Sequence, residues 1–387
     1  MNSRERVLAS IHHKEPDRIP KDLGSTNVTG ITAAAYEGLL DLLGYQEEII
    51  IVDRIQGLAQ VSPAVRENLG IDTYGLWPKS SKEGIREEGR DEKGQDYFID
   101  EWGLYWRKPV QGLYYDVVKS PLNDINPGKF DVASYEWPDK NDTIRIEGMR
   151  EESQRIRKET DLAIVLCETL DFFLFCLWLR GFENFLTDIY LHPEFARNLL
   201  DTVLDIQLTR TENVLKEAGE FIDVVGVIGD DWGTQDSLYV APEMFHEIFK
   251  PRIARMVDTI RHYTDAPIFA HSCGSVRKLI PDFIDMGFNI LNPLQVSAKD
   301  MNDTDELKKQ FGDSITFWGG GIDTQHVLNH GGEDDIEREV KKRIMDLAPG
   351  GGFVFCPVHN IQADVPPENI VHAYRIADEF GIYPIRS

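Results

Sequence analysis

Residues 267–293, PIFAHSCGSVRKLIPDFIDMGFNILNP, hold a short apolar run, a segment of helical periodicity and a second short apolar run. This pattern is typical of a strand, a helix and a parallel strand. It recurs along the chain, and eight apolar runs can be counted: Arg18–Asp22, Ile71–Leu76, Leu162–Glu168, Phe221–Asp230, Pro267–His271, Phe288–Pro293, Ser314–Gly319 and Gly352–Pro357. Eight such units predict an α/β fold, a closed (β/α)8 TIM barrel, with a doubly wound open sheet or two domains as alternatives.

Helical periodicity between the runs predicts the helices of the outer ring. Proline is common in the first turn of a helix, which favours a start at Pro242. The predicted helices are Glu183–Leu191, Pro193–Ala218, Pro242–Tyr263, Ser275–Met286, Met301–Phe311 and Asp334–Leu347.

Residues 83–137 interrupt this alternation with a polar and aromatic stretch that includes DYFIDEWGLYW at 96–106. Its alternation and its turn glycines predict β-hairpins, inserted after the second barrel strand. No Gly/Ser-rich or Pro-rich linker divides the chain. We therefore expect residues 1–387 to form one barrel domain that carries 83–137 as an inserted β-hairpin subdomain.

The composition excludes several classes of partner. The formal net charge is −25, from 66 acidic and 41 basic side chains, which repels nucleic acid and anionic membranes alike. Residues 1–20 contain no apolar stretch of the length that a signal peptide needs, and no segment approaches the length of a membrane span. Four cysteines are too few for a disulfide scaffold in a chain of 387 residues. We expect a cytoplasmic protein with no nucleic-acid or membrane partner; its oligomeric state stays open, with a homodimer as one option.

The residues that close the apolar runs are chemically reactive. In a (β/α)8 barrel the active site is built from the C-terminal ends of the strands. Residues that only fill a core are mostly apolar, whereas these strand ends carry carboxylates, imidazoles and thiols. The candidate site residues at these ends are Glu168, Asp230, Asp231, Trp232, His271, Cys273, Asn292, Gln295, Trp318, Cys356 and His359.

Three of these residues suit a zinc ion. His271 and Cys273 stand two positions apart, so on an extended segment their side chains point to the same side. Cys356 ends another strand, which can face them across the barrel mouth. One imidazole and two thiolates are ligands that zinc prefers, and three protein ligands leave a position for substrate. The alternative is that buried cysteines act as small apolar residues, which we expect for Cys167 and Cys176.

The other candidates divide into two groups. Asp230 and Asp231 can act as acid or base, orient a substrate hydroxyl or join the metal; the alternative is a helix cap followed by a solvated carboxylate. Glu168 is a weaker case of the same kind, and His359 can donate a hydrogen bond to a developing anion or be an ordinary loop residue. We expect these four to be catalytic. The predicted substrate-binding residues are Trp232, Asn292, Gln295 and Trp318.

Several segments resemble the uroporphyrinogen decarboxylase superfamily over nearly the whole chain. They are RERVLASIHHKEPDRIP at 4–20, GDDWGTQDSLYVAPEMFHEIFKP at 229–251, FAHSCGSV at 269–276 and CPVHNIQADVPPENIVHAY at 356–374. The resemblance implies a (β/α)8 barrel. One branch of the superfamily consists of zinc-dependent methyltransferases that exchange methyl groups with a corrinoid protein. Their mark is His-x-Cys followed distantly by a second Cys, which here falls on His271, Cys273 and Cys356.

Two other members of the wider group fit less well. The decarboxylase itself is metal-free and carries an N-terminal arginine-rich motif, where this chain has PKDLGSTNVTG at 20–30. Cobalamin-independent methionine synthase has a similar metal site with an additional glutamate ligand, which is missing from ILNPLQ at 290–295. The fourth ligand therefore stays open between Asp230, Asp231, Glu168 and water.

The resemblance implies an enzyme that moves a methyl group from a small methylated donor, such as a methoxylated aromatic compound, to the cobalt(I) of a corrinoid protein. Zinc and the partner's corrinoid are the expected cofactors. The alternatives are transfer from a methyl-corrinoid to tetrahydrofolate or a thiol, and a tetrapyrrole enzyme of the decarboxylase type.

Overall fold

A computed structural model describes residues 1–110 and 112–385 of the chain. Its central sheet has seven parallel strands, each hydrogen-bonded to the next in chain order. We number the barrel strands β1 to β8, with β1 at residues 20–22. The others are β2 (Thr73–Leu76), β3 (Ala163–Leu170), β4 (Val224–Ile228), β5 (Ile268–His271), β6 (Ile290–Asn292), β7 (Thr316–Trp318) and β8 (Phe353–Val354).

Residues 20–22 close the barrel between its first and last strands. Lys21 forms a parallel bridge with Phe355, and the Asp22 N–H donates to the Phe355 carbonyl at 2.9 Å. On the other side, the Asp72 N–H donates to the Lys21 carbonyl at 2.9 Å. The predicted (β/α)8 barrel is confirmed, and each predicted apolar run overlaps one of its strands; β3 extends two residues beyond its run, to Leu170.

Side chains alternate between the two faces of the barrel wall, as the pleat of a strand requires. The outward residues of β3, such as Ile164 and Leu166, pack in the large core against the helices. The inward residues form a separate buried cluster: Ala163, Val165, Val224, Phe269, Ile290, Trp318, Val354 and Cys356. This alternation decides which residues at the strand ends can face the barrel mouth.

The helices of the described residues surround the barrel and occupy its ends. The helix Phe172–Arg180 was not predicted: its sequence is apolar up to Arg180, so it offers no polar face to distinguish it from a buried strand. The predicted helix Pro242–Tyr263 consists of a short helix, a π-helical turn (Phe245–Phe249) and Lys250–Arg261. The α-helices are Ser3–Ile11, Ala33–Leu43, Pro63–Leu69, Met149–Glu159, Phe172–Arg180, Phe182–Leu191, Pro193–Ala218, Pro242–Met244, Lys250–Arg261, Ile280–Asp285, Thr304–Phe311, Glu333–Leu347 and Pro367–Phe380.

Between β2 and β3 the chain forms a four-stranded antiparallel sheet. Its strands are Ile85–Arg90, Asp96–Asp100, Tyr105–Arg107 and Asp116–Lys119. Aromatic side chains attach this region to the helix Phe172–Arg180: the Trp102 and Phe175 rings lie 4.9 Å apart, and those of Trp106 and Trp178 lie 5.2 Å apart. A small ribbon of Ile51–Asp53 and Leu58–Ala59 precedes it.

None of the helices in the described ranges combines the length and the apolar character that crossing a membrane would need.

The junction of β1 and β2 depends on a buried carboxylate. Asp72 has no exposed surface and accepts hydrogen bonds at 2.7 Å from both Arg6 and Arg18. It also accepts the Lys21 N–H at 2.9 Å. Because this one side chain joins the N-terminal helix to both strands, it fixes where the barrel closes.

We predict that Asp72→Asn lowers the free energy of unfolding by about 3 kcal/mol, since it leaves two guanidinium groups without their buried anion. Urea denaturation provides the measurement. Glu88→Gln is the matched control, because Glu88 pairs with Arg54 at an exposed site and its loss should cost less than about 1 kcal/mol. Equal losses in the two variants would contradict this role of Asp72.

Candidate metal centre

His271 and Cys273 meet at the mouth of the barrel. His271 is the last residue of β5 and shares the inner face with Phe269, two positions earlier. Cys273 follows by two positions, and its Sγ lies 3.5 Å from His271 Nε2. The two-residue spacing therefore brings the His271 Nε2 and the Cys273 Sγ together on the inner side of the barrel mouth.

Asp231, from the loop after β4, completes a group of three. One of its carboxylate oxygens lies 3.4 Å from His271 Nε2 and accepts the Cys273 N–H at 2.8 Å. The three ligand atoms all lie within 4.8 Å of one another. Of the carboxylates considered for the ligand that the sequence left open, Asp231 is the one that lies beside His271 and Cys273.

Asn292 sets the orientation of the His271 ring. It pairs with His271 in the β5–β6 register, and its Oδ1 lies 2.7 Å from His271 Nδ1. An amide oxygen only accepts, so Nδ1 carries a proton, and Nε2 is the nitrogen that faces Asp231 and Cys273 and would offer its lone pair to an ion bound there. The Asn292 amide is itself held, because its Nδ2 donates to the Trp318 carbonyl at 2.8 Å. Such outer hydrogen bonds are typical of metal-binding histidines.

The two loops that carry Asp231 and Cys273 pack backbone against backbone. Gly274 has φ +84°, and a Cβ there would lie 2.4 Å from the carbonyl of Gly233. Gln295 fastens the same turn, because its Oε1 accepts the Gly274 N–H at 2.7 Å. Only a residue without a side chain fits this position, so Gly274 allows the two loops to lie in contact.

The donor set and its spacing fit zinc. Imidazole, thiolate and carboxylate are all established zinc ligands. With bonds of about 2.0 to 2.3 Å, ligand atoms around a tetrahedral zinc lie about 3.3 to 3.6 Å apart. The separations of 3.4 Å for Asp231–His271 and 3.5 Å for Cys273–His271 match that range. Three protein ligands would leave one position for a substrate.

The electrostatics of the group favour a bound cation. Burial opposes ionisation of Asp231, but its hydrogen bond to His271, the charge of that ring and the Cys273 N–H lower the pKa of Asp231 to about 2. Burial and then the charge of Asp231 raise the pKa of the Cys273 thiol well above its usual value. A divalent cation reverses the effect on a thiol, because coordination deprotonates it.

Cys356 and His359 both lie in the segment that follows β8. Cys356 is fully buried in the inner cluster, beside Trp318 and Val354, and it is not among the residues that share the 4.8 Å group. His359 Nδ1 lies 3.7 Å from Cys273 Sγ. Burial, with the nearby charge of His271, lowers the pKa of His359 to about 4, so the ring is neutral. The structure thus places His359 in contact with the centre.

Asp230 and Glu168 do not belong to the group of Asp231, His271 and Cys273. Asp230 accepts the N–H groups of Phe173 at 3.2 Å and Leu174 at 2.7 Å, so it caps the helix Phe172–Arg180. Glu168 is on the outer face of β3, where it pairs with Arg145 at 3.4 Å. Neighbouring residues of a strand point to opposite faces of the sheet, so Glu168 points outward and Cys167 points inward.

The predicted substrate-binding residues occupy structural positions. Trp232 is fully buried and stacks on Phe173, with ring centroids 5.0 Å apart. Trp318 fills the barrel interior, and its Nε1 donates to Asp22 at 2.9 Å. Asn292 and Gln295 hold the His271 ring and the Gly274 turn, so these two act as positioning residues.

Asp171 is a buried carboxylate near enough to Asp231 and His271 to be affected by their charges, and it was not predicted as a candidate. It directly precedes the helix that Asp230 caps, and Gln207 Nε2 donates to it at 3.3 Å. Burial and then the charge of Asp231 raise the pKa of Asp171 to about 7, while the charge of His271 opposes this. Its position directly after β3 could have identified it, but Asp171 lies within an apolar stretch that we assigned to the core.

Sequence comparison assigns the family. The profile of the uroporphyrinogen decarboxylase (URO-D) family matches residues 126–380. The chain belongs to the uroporphyrinogen decarboxylase family. This confirms the resemblance noted in the sequence, and the matched region contains every residue of the candidate metal centre. No curated protein sequence gives a significant match.

Among solved structures, a methyltransferase from Methanosarcina mazei is similar to this URO-D family member. The TM-score is 0.68, with 17% sequence identity, and the match covers 98% of this chain and 99% of that chain. At this identity the likeness shows a shared fold.

We predict that Asn292→Ala weakens zinc binding by about 10- to 100-fold, since the His271 ring loses the acceptor that orients it. Competition against a chelator measures the affinity. Asn292→Asp is the matched control because it keeps an acceptor oxygen and should retain most of the affinity. Wild-type affinity in the Ala variant would show that Asn292 does not orient the ring.

We predict that Gly274→Ala weakens zinc binding because the new methyl group forces the two loops apart. Gly44→Ala is the control: Gly44 has φ +74° with nothing within 4 Å of an added Cβ. That variant should lose about 1 kcal/mol of stability from backbone strain and keep its zinc affinity. The affinity and the free energy of unfolding are measured for both, and equal zinc affinities would contradict the packing argument.

Proposed function

We propose that the protein is a zinc-dependent methyltransferase that moves a methyl group from a small O-methyl donor to the cobalt(I) of a corrinoid protein. A methoxylated aromatic compound is the donor class we favour. The observation that carries the proposal is the group of Asp231, His271 and Cys273 at the barrel mouth, with the His271 ring oriented by Asn292.

Two further observations support this choice within the URO-D family. The M. mazei protein with the same fold over 98% of this chain is a methyltransferase. In addition, a site built from an imidazole, a thiol and a carboxylate has no evident use in decarboxylating a tetrapyrrole, whereas it suits a Lewis-acid metal.

Methyl transfer from an O-methyl donor requires stabilisation of the negative charge that develops on the donor oxygen. In the reaction the carbon–oxygen bond breaks, the oxygen keeps the electron pair and then takes a proton, and the methyl group passes to the acceptor. Zinc, when bound, supplies a Lewis acid that stabilises the negative charge on this oxygen.

The residues of the chain have separate tasks in this scheme. His271, Cys273 and Asp231 would hold the ion, and Asn292 would keep the His271 lone pair directed at it. Three protein ligands would leave one position for a methyl donor that enters at the mouth of the barrel. A corrinoid protein that docks over the mouth would reach the methyl group from the side opposite the oxygen.

The test uses purified protein with free cob(I)alamin and a panel of methoxylated aromatic compounds, and it follows methylcobalamin formation by absorbance under anaerobic conditions. We predict that Cys273→Ser lowers the rate by about 1000-fold or more, since a Lewis acid contributes several kcal/mol to such a step. Cys176→Ser is the matched control, because Cys176 is buried in the helix Phe172–Arg180 and should leave the rate unchanged.

Full activity in zinc-free Cys273→Ser protein would contradict the proposal. So would wild-type protein that transfers methyl only from methylcobalamin to tetrahydrofolate or a thiol, since this would reverse the proposed direction.

A further inference from the structure

We propose that Asn27 and Thr169 form a polar subsite for the methyl donor, on the side of the barrel mouth opposite the metal centre. The subsite would bind a neutral hydrogen-bonding group of the donor, such as a hydroxyl, and would select uncharged donors over carboxylates. This inference rests on the methyl transfer proposed above and narrows the class of donor for the same site.

The first argument is the position of the two residues. Asn27 follows β1, which lies four strands from β5 in a closed barrel of eight, so the ends of these strands face each other across the mouth. Thr169 lies two positions after Cys167 on β3, and its Oγ1 accepts a hydrogen bond from Asn27 Nδ2 at 3.3 Å. Val28 packs on the inner apolar cluster, which places this loop over the barrel interior.

The second argument is that the backbone of Asn27 is firmly held. Its carbonyl accepts hydrogen bonds from Gln56 Nε2 at 2.9 Å and from Asn360 Nδ2 at 2.8 Å. Asn360 Nδ2 also donates to Gln56 Oε1 at 2.7 Å. Asn360 directly follows His359, whose Nδ1 lies 3.7 Å from Cys273 Sγ. The segment after β8 therefore connects the subsite to the metal centre.

The side chain of Asn27, by contrast, has spare hydrogen-bonding capacity. A side-chain amide offers two N–H donors and an acceptor oxygen. Within residues 1–110 and 112–385, its partners are the Thr169 hydroxyl at 3.3 Å and the Cys167 sulfur at 3.8 Å, and both contacts are long. Thr169 Oγ1 accepts from Asn27 and keeps its own O–H for a ligand. The subsite thus presents donors and an acceptor from a fixed backbone, as a specific binding site requires.

The subsite is open to solvent from inside the mouth. On the inner face of β3, the deeper residues Ala163 and Val165 have no exposed surface. Thr169, at the end of the same face, is half-buried, so solvent reaches it through the open end of the barrel. Asn27 and Gln56 are half-buried too, as are all three residues of the metal centre. A small molecule in the mouth can therefore contact both sides.

The charges around the subsite favour a neutral ligand. Asp53 is an acidic side chain beside Gln56 and accepts the Gln56 N–H at 2.8 Å. Arg54 is engaged elsewhere, because it pairs with Glu88 at 2.7 Å and lies 4.7 Å from the centre of the Phe98 ring. In the part of the chain that the structure describes, no ammonium or guanidinium group donates to the subsite. A carboxylate bound here would lose its water without gaining a counter-charge, which is costly.

The experiment compares matched aromatic probes by isothermal titration calorimetry with zinc-loaded full-length protein. The probes are methoxybenzene, the three isomers of methoxyphenol and the three isomers of methoxybenzoate. We expect the best methoxyphenol to bind at least about fivefold more tightly than methoxybenzene, as one net hydrogen bond provides. Every methoxybenzoate should bind more weakly than methoxybenzene, because its charge finds no partner.

Two variants test the residues themselves. Asn27→Ala should bring the ratio of the methoxyphenol and methoxybenzene affinities close to one, since the hydroxyl loses its partner. Thr169→Val removes the side-chain hydroxyl and should lower the same ratio. Thr169→Ser is the matched control, because it retains the hydroxyl and should keep the preference. Thermal unfolding of each variant checks that the changes do not come from misfolding.

The outcomes separate the subsite from the proposed function. Equal wild-type affinities for methoxyphenol and methoxybenzene, tighter binding of a methoxybenzoate, binding of none of the probes, or an unchanged preference in Asn27→Ala or Thr169→Val would overturn the subsite. Methyl transfer from the same donors to cob(I)alamin is measured in parallel. Transfer without the expected preference would remove the subsite and leave the methyltransferase standing. The expected preference in binding, with transfer from no donor, would do the reverse.

Discussion

The alternation of side chains across the barrel wall is the constraint on which the rest of this structure depends. Neighbouring residues of a strand point to opposite faces. At the end of β5 this directs Phe269 and His271 inward, while Ile268 and Ala270 pack against the helices. Because β6 pairs with β5 in a register that sets Asn292 beside His271, the imidazole meets its amide partner at the inner rim. The strand register thus positions His271, the first residue of the candidate metal-binding group.

The loops after β4 and β5 supply the other two residues of the candidate metal centre. Asp231 and Cys273 lie beyond the regular part of β4 and β5, where the pleat no longer fixes direction. Two devices replace it: the close packing of Gly233 on Gly274, and the hydrogen bond from Cys273 N–H to Asp231. The first is a contact between two backbones, and the second joins a backbone N–H to the Asp231 carboxylate, so each restricts the conformations of the loops. A centre held in this way pays little entropy when an ion binds.

Much of this could be predicted from the sequence. The eight apolar runs gave the barrel, and the two-residue spacing of His271 and Cys273 was sufficient to bring them together. Glu168 shows what could not be predicted: it ends an apolar run of the sequence, yet the strand continues to Leu170 and Glu168 lies on its outer face. The face depends on a register that only the folded sheet defines. Asp230 caps the helix Phe172–Arg180, which the sequence analysis did not find. Cys356 is fully buried because residues from other strands, such as Phe269 and Trp318, pack around it, and the local sequence does not show these contacts.

The central claim is that a metal bound at this group makes the methyl transfer possible. The most direct test is to remove the metal from wild-type protein with a chelator, restore zinc, and follow a 13C-labelled methyl group from a methoxylated donor to cobalamin by NMR at each stage. We expect transfer to stop in the metal-free protein and to return with one equivalent of zinc per chain. Undiminished transfer by metal-free protein would contradict it.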